Sequence, residues 1–180
     1  AEKLQQELDS IDVRLVELTD ALPVNWASGD HISAVLYGGK LVHRFTEEAG
    51  VFKSGAKAGQ VKMRHREVTY EMPRLVKPRR KLKKDGYFAT DFDTLKALPA
   101  TGKAKKIRDL LIERANLTKL HGTYLVGIPK KADEMGWTDN IVHGKYNQCV
   151  AVTGRLSSSE PNLQNLDARV KEYIVSRYAD

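Results

Sequence analysis

The chain has 180 residues, of which 41% are hydrophobic and 29% are charged, and its formal net charge is +7. This length suffices for one ordinary domain, or for one domain and part of another, and no apolar run approaches the roughly 20 residues that a membrane span needs. The single cysteine, Cys149, excludes an intrachain disulfide and a multi-cysteine metal site, and the five histidines lack any paired metal spacing.

A long helix is the first predicted element. Apolar residues at 4, 8, 11, 15, 18 and 22 recur at alternating spacings of four and three, which is an a/d stripe. A second stripe occupies residues 107–124 and ends before Pro129. Two such helices far apart in sequence predict an antiparallel helical hairpin. Two separate core helices are the alternative.

Two shorter helices are predicted between these stripes. Ser28 is a suitable N-cap for a helix that carries Ile32 and ends at glycines 38 and 39. Thr90 similarly opens a helix that contains Leu95 and stops at Pro99.

The region between those two helices is rich in basic residues. Residues 41–72 alternate apolar and charged side chains and contain glycines at 50, 55 and 59, which predicts a β-hairpin or three short strands with a basic face. An extended basic connector then follows up to residue 84. Residues 53–84 hold twelve Lys/Arg against Glu67 and Glu71 alone. This excess exceeds the net charge of the whole chain, so it favours a polyanionic partner over a merely solvated face.

The last part of the chain is predicted to form short strands. Residues 141–148 and 150–156 alternate well enough for two adjacent strands, whereas residues 170–177 fit a strand or a helix. Residues 153–165, TGRLSSSEPNLQN, contain one arginine, four small hydroxyls, two asparagines and a glutamine. This run has too little apolar surface for a core element and many groups that need hydrogen-bond partners. It therefore indicates a polar surface that an external partner satisfies.

Residues 153–165 also resemble the T-G-R-L-S-S-x-[DE]-P-N-L-Q-N signature of the family A DNA polymerases. Four further segments resemble motifs of this family in the same order. They are VNWASGDHI at 24–32, GYFATD at 86–91 with Leu95 following, LTKLHGTY at 117–124 and VHGKYNQ at 142–148. The resemblance covers most of the chain. Residues 39–80 match nothing in the bacterial enzymes and look like an insertion of the kind found in phage polymerases.

This resemblance implies an α+β fold with a long antiparallel helical hairpin, the thumb, which carries a small basic β insertion and is followed by palm β-strands. Residues 1–136 would form the thumb subdomain, with the insertion at 39–80. Residues 137–180 would form the N-terminal part of the palm, and we expect the chain to stop before the first catalytic aspartate.

The resemblance also assigns roles to individual residues. Arg155 matches the arginine that contacts the minor groove at the primer terminus, where every base pair offers a purine N3 or a pyrimidine O2 as an acceptor. Asn162, Gln164 and Asn165 match residues along the template-primer. Lys119 matches a phosphate-contacting lysine on the inner face of the thumb helix. The further candidate DNA-binding residues are Ser28, Lys81, Lys83, Lys84 and Thr123.

Three positions depart from the family pattern. Ala89 and Gly122 stand where the family usually has serine, which removes two hydroxyls that could contact phosphate. An arginine that often lies four residues before the helix lysine is Ala115 here, and Arg114 lies one position away from it.

The implied parent enzyme is a DNA-directed DNA polymerase, a nucleotidyltransferase that uses Mg²⁺ and deoxynucleoside triphosphates. The D-x-S-x-x-E and H-D-E motifs that hold its metal ions do not occur in this sequence. We therefore expect no catalytic residue, metal or cofactor in this chain, which would be an excised piece, a fragment or one product of a split gene. The expected partners are primer-template DNA and the remaining polymerase chain, with an accessory protein at 39–80 as a further candidate. A membrane partner is not expected, and the expected location is the cytoplasm of a bacterial or phage-infected cell.

Two other functions stay open at this point. The chain could be a stand-alone, non-catalytic DNA-binding or processivity module, or a protein-interaction module that uses the apolar stripe of residues 4–22. For residues 39–80 the alternatives are a clamp on DNA, a docking site for a protein, and a purely structural element.

Overall fold

The computed structural model describes residues 2–51, 53–57, 59–82, 84–138, 141–148, 150, 152–171 and 174–175. Helices and antiparallel strand pairs are both present, so the mixed fold class is confirmed. The chain divides into two compact units, one of Ser10–Arg114 and one of Ala1–Asp9 with Ala115–Asp180. No helix in the described ranges is both long and apolar enough to cross a membrane. Lys83 and Cys149 lie outside the described residues.

Two long helices dominate the chain, α1 at Glu2–Leu18 and α4 at Gly102–Lys119. Within the unit Ser10–Arg114 they run antiparallel, because Asp12 pairs with Arg114 at 2.6 Å and Asp20 pairs with Lys103 at 3.4 Å. Their apolar stripes are buried in this unit, and both Leu15 and Ile107 are fully inaccessible. The spacing of apolar residues thus correctly predicted both helices and their direction.

Helix α1 ends earlier than its apolar stripe. Asp20 and Ala21 adopt positive φ angles of 54° and 55°, which is left-handed backbone that cannot continue a right-handed helix. The hydroxyl of Thr19 donates to the carbonyl of Leu15 at 2.9 Å and closes the last turn. Leu22, predicted as the final member of the stripe, therefore lies beyond the helix.

Helices α2 at Gly29–Tyr37 and α3 at Phe92–Lys96 follow the predicted pattern with one difference. Ser28 caps α2 as expected, since its hydroxyl accepts from the backbone N–H of His31 at 3.5 Å. The cap of α3 is Asp91 and not Thr90, because the Asp91 carboxylate accepts from the backbone N–H of Thr94 at 3.1 Å. A carboxylate is at least as good an N-cap as a threonine hydroxyl.

The region predicted to form strands is a single antiparallel β-hairpin of β1, Gly39–Val51, and β2, Val61–Met72. We call residues 39–72 the ribbon. Leu41 is its one fully buried side chain among those the structure describes, and the apolar side chains near the turn are exposed. The ribbon is anchored where β1 begins, because a ring nitrogen of His31 lies 3.0 Å from the carbonyl oxygen of Val42.

In the other unit, α4 continues without a break into a π-helix at Leu120–Val126 and then into α5 at Gly127–Met135. The predicted end of the helix before Pro129 is therefore wrong. Pro129 lies inside this continuous helical stretch, three residues after the π-helix ends. The N–H of Gly127 instead donates to the carbonyl of Gly122, five residues earlier.

The remaining elements are short. Strands β3 at Lys145–Asn147 and β4 at Ser157–Ser159 pair antiparallel, and they are followed by a 3-10 turn at Leu163–Asn165 and by α6 at Ala168–Lys171.

This arrangement corrects the strand predictions for the end of the chain. The second strand lies at Ser157–Ser159 and not at residues 150–156, where Val150 is 69% exposed and Val152 is fully exposed. The described part of this unit offers these valines no core, so their alternation does not produce a strand. Within residues 170–177, the described Val170 and Lys171 are helical.

Candidate nucleic-acid interface

Residues 153–165, which we call the signature loop, are folded largely by their own polar groups. The hydroxyl of Ser158, only 7% exposed, accepts from the N–H of Leu163 at 3.1 Å and donates to the carbonyl of Pro161 at 3.4 Å. The side-chain amide of Asn147 donates to the hydroxyl of Ser159 at 3.0 Å. The expectation that an external partner satisfies the polar groups of this run is therefore wrong for Ser158 and Ser159.

The amide side chains of the signature loop divide into two groups. Asn162 caps the 3-10 turn by accepting from the N–H of Gln164 at 3.1 Å, and the Gln164 amide donates to the carbonyl of Leu156 at 3.0 Å. Asn165 differs, because its backbone carbonyl accepts a hydrogen bond, whereas its exposed side chain has no hydrogen bond to any described residue. Two of the three amides predicted to contact DNA thus also stabilise the loop.

Arg155 is the exposed cation of the signature loop. It follows Gly154, whose φ of 70° is left-handed backbone that favours glycine. Within the described ranges the structure shows no ion pair or hydrogen bond to the guanidinium of Arg155. Its five N–H donors are therefore available to an external acceptor.

A tyrosine connects the signature loop to the π-helix. The hydroxyl of Tyr124 donates to the backbone carbonyl of Asn165 at 2.9 Å, and the Tyr124 ring belongs to a small core with Leu120 and Val170. Lys119 and Thr123, four residues apart and both exposed, precede this tyrosine. Tyr124 therefore places Asn165 beside the helical segment that carries Lys119 and Thr123.

The electrostatics support this proximity. The pKa of Asp167 is lowered to about 2, first by hydrogen bonds from the side chain and backbone of Arg169 and to a smaller extent by the charge of Lys119. Asp167 lies two residues after Asn165. Lys119 is therefore close enough to the end of the signature loop to affect the ionisation of Asp167.

The candidates in the unit Ser10–Arg114 have structural partners. Ser28 caps α2, and the Lys84 ammonium contacts the Asp30 carboxylate and lies 4.5 Å from the centre of the Tyr87 ring. The hydrogen bond to Asp30 raises the pKa of Lys84. Lys81 is exposed, and its backbone forms an isolated bridge to Phe88.

Much of the positive charge in the connector stabilises the fold. Arg74 donates to the carbonyl of Tyr37 at 3.2 Å, Arg79 donates to the carbonyl of Ala97, and Arg80 pairs with Asp91 at 2.8 Å. Composition alone could not separate these arginines from free ones. Asp91 is both the N-cap of α3 and the counterion of Arg80, and spacing rules do not capture such a pair.

The departures from the family pattern have structural counterparts. The guanidinium of Arg114 makes two hydrogen bonds to the Asp12 carboxylate, at 2.6 and 3.3 Å, so it is occupied by α1. Ala89 is buried, and its carbonyl accepts from the hydroxyl of Tyr37 at 3.2 Å. Gly122 lies in the π-helix.

Among the described residues, no group of three or more His, Cys, Asp or Glu side chains is placed to hold a metal ion.

Comparison with known proteins identifies the family. The family model of DNA polymerase family A matches residues 1–179, so the chain belongs to the family A DNA polymerases. It is 43% identical over 86 residues to DNA polymerase I of Synechocystis sp., which is 48% of this chain and 8% of that protein. It is 40% identical over 73 residues to a thermostable DNA polymerase I of Thermus filiformis, covering 41% of this chain and 8% of that protein.

DNA polymerase I of Bacillus subtilis is 36% identical over 89 residues, which is 49% of this chain and 9% of that protein. The matched part of the chain thus spans less than a tenth of the length of each of these three relatives.

Proposed function

We propose that this chain is the DNA-gripping part of a DNA-directed DNA polymerase. In this proposal residues 1–136 are the thumb, residues 137–180 are the first part of the palm, and primer-template DNA is the ligand. Nucleotidyl transfer, with its Mg²⁺ ions and deoxynucleoside triphosphates, belongs to the complete enzyme. Membership of family A supports the activity, and the geometry of the signature loop supports the role of this segment.

The observation on which the proposal depends is that Arg155 is exposed and unpaired among the described residues. The backbone of the signature loop is held by the Ser158 and Gln164 hydrogen bonds, yet Arg155 is exposed and has no partner among the described residues. A fixed backbone lowers the entropy lost when the guanidinium binds. The acceptors of the DNA minor groove are shared by all base pairs, so an arginine that contacts them senses pair geometry and not sequence.

A second proposed contact with DNA is centred on Lys119. An exposed lysine, a threonine hydroxyl one turn later and the free amide of Asn165 are suitable donors to phosphate oxygens. Tyr124 keeps Asn165 beside this helix through the hydrogen bond to its carbonyl. We assign Lys119 to the phosphate backbone and Arg155 to the bases at the primer terminus.

Substitution of these two cations in the complete polymerase tests the proposal. Arg155→Ala should slow primer extension about tenfold, which corresponds to about 1.4 kcal/mol of transition-state contact, with a larger effect at a mismatched terminus. Lys119→Ala should weaken duplex binding uniformly across sequences and lower the slope of log affinity against log salt by about one.

Lys130→Ala is the matched control, because Lys130 is an exposed lysine on α5 whose nearest carboxylate, on Glu134, is 3.9 Å away. It should leave both measurements unchanged. If Arg155→Ala preserves the extension rate and mismatch discrimination, the minor-groove role is wrong. If Lys119→Ala and Lys130→Ala behave alike, the phosphate role of Lys119 is wrong.

A further inference from the structure

The charge of the ribbon is separated along its length. We call residues 49–66 the distal ribbon and residues 39–48 with 67–72 the proximal ribbon. The distal ribbon contains five Lys/Arg and no Asp or Glu, whereas the proximal ribbon contains two Lys/Arg and four Glu. The strands have 13 and 12 residues, so the basic end extends about 40 Å from the anchored end.

The two faces of the distal ribbon also differ. Side chains alternate along a strand, so Lys62, Arg64 and Arg66 of β2 share one face. The opposite face carries Val61 and Met63, which are 49% and 53% exposed. Successive basic residues on the first face are about 6.8 Å apart, which is the axial rise of two phosphates along one DNA strand.

Most distal cations are free, unlike those of the connector. Arg66 pairs with Glu47 at 2.6 Å. In the described part of the chain, Lys53, Lys57, Lys62 and Arg64 have no carboxylate partner, and all four are exposed. A cluster of unpaired cations gives the distal ribbon a positive potential that attracts polyanions.

We propose that the distal ribbon binds the sugar-phosphate backbone of duplex DNA, as a contact separate from the one around Lys119. This inference rests on the proposed function, since it names the same DNA as the ligand. Recognition of duplex phosphates needs a row of cations. The face that carries Lys62, Arg64 and Arg66 supplies this row, and its one acidic residue is Glu47. Loss of this contact speeds dissociation and leaves nucleotide addition unchanged.

Two double variants that remove equal charge test this inference. Lys57→Gln with Lys62→Gln changes the distal ribbon, and Lys40→Gln with Arg44→Gln changes the proximal ribbon; all four residues are exposed. Binding of this chain to a fluorescent duplex is measured from about 50 to about 200 mM salt. The affinity of the unaltered chain should fall as salt rises over this range. Because the distal variant lacks two phosphate contacts, the factor by which its affinity falls should be roughly tenfold smaller. The proximal variant should retain the original salt dependence.

Further variants distinguish a loss of DNA binding from a folding defect. Lys57→Arg with Lys62→Arg should restore binding, which a folding defect would not allow. Lys119→Ala is measured in parallel. If Lys119→Ala weakens binding and the distal variant does not, the ribbon inference fails while the proposed function stands. If neither variant changes binding, both fail.

The nature of the partner is tested in the same assay. Tighter, distal-dependent binding of a single strand of the same sequence would overturn the duplex assignment. Unchanged DNA binding, together with loss of an accessory protein from the distal variant, would make the ribbon a protein-docking site instead.

Discussion

The signature loop and the ribbon use polar residues in opposite ways. In the signature loop, side chains such as Ser158 and Gln164 bond to nearby backbone groups and hold an irregular chain in one conformation. In the ribbon, strand pairing satisfies the backbone, and side chains such as Lys57 and Lys62 remain exposed. Polar content alone therefore does not identify a binding surface, because only groups without an internal partner are available to a ligand.

This difference separates the two proposed DNA contacts by type. The signature loop presents one exposed arginine on a backbone that is fixed by hydrogen bonds, which suits recognition of a defined position. The ribbon presents several flexible lysines, which suits a diffuse electrostatic attraction that salt weakens. Substitution of the groups that hold the signature loop and its supporting helix tests this separation.

The largest effect is expected at Gly127, where the π-helix ends. A Cβ at this position would lie 2.8 Å from the carbonyl oxygen of Gly122, and that oxygen is fixed by its own hydrogen bond from Gly127. Gly127→Ala should therefore lower the free energy of unfolding by about 2 to 3 kcal/mol, as overpacked sites do. Urea denaturation measures this change, and amide exchange of Tyr124 reports whether the π-helix is lost.

Gly122→Ala is the matched control in the same π-helix. A Cβ on Gly122 meets no atom within 4 Å, and alanine is favoured over glycine in helices by about 1 kcal/mol. This variant should be neutral or slightly more stable. Equal destabilisation by both substitutions would contradict the argument from close approach at Gly127.

A smaller effect is expected from the buried hydroxyl of the signature loop. Ser158→Ala leaves the backbone N–H of Leu163 without its acceptor, which should cost about 1 to 2 kcal/mol. Ser157 has no side-chain hydrogen bond among the described residues, so Ser157→Ala should change stability little. Amide exchange at Leu163 is the sensitive measurement. Similar exchange rates in the two variants would show that the signature loop is not held by Ser158.

The sequence predicted the elements that depend on local patterns. The stripes of α1 and α4, the Ser28 cap of α2 and the β-hairpin of the ribbon all follow from the spacing of apolar residues and the position of glycines. These features form with near neighbours, so their signal lies within a short window. The family was likewise recognisable from the residues of the signature loop.

The features that were missed depend on contacts distant in sequence. Arg114 is 102 residues from Asp12, and Tyr124 is 41 residues from Asn165, so no spacing rule connects either pair. The π-helix was missed because its i to i−5 bonding arises where Gly127 allows close approach to Gly122. The strand predicted at 150–156 failed because alternation requires a core on one side, and the exposed Val152 has none.

The smallest effect concerns the charge of Asp167, two residues after the signature loop. Its carboxylate accepts from the backbone N–H and the side chain of Arg169 at 3.0 Å, which is the main reason that its pKa is lowered to about 2. A lowered pKa stabilises the folded chain above the ordinary value of 3.8, and this contribution disappears as the pH falls from about 4 through 2. The stability contributed by Asp167 should therefore be constant at neutral pH.

Carboxyl chemical shifts followed by NMR would measure the pKa of Asp167 directly. Arg169→Gln should move it back toward 3.8, because the guanidinium bonds are lost and only the backbone bond remains. Lys119→Ala should raise it much less, since Lys119 acts through charge alone and is the weakest of the contributors. An equal rise in both variants would mean that Lys119 lies closer to the signature loop than the structure places it. The exposed lysine would then be committed to Asp167 and less available to a DNA phosphate.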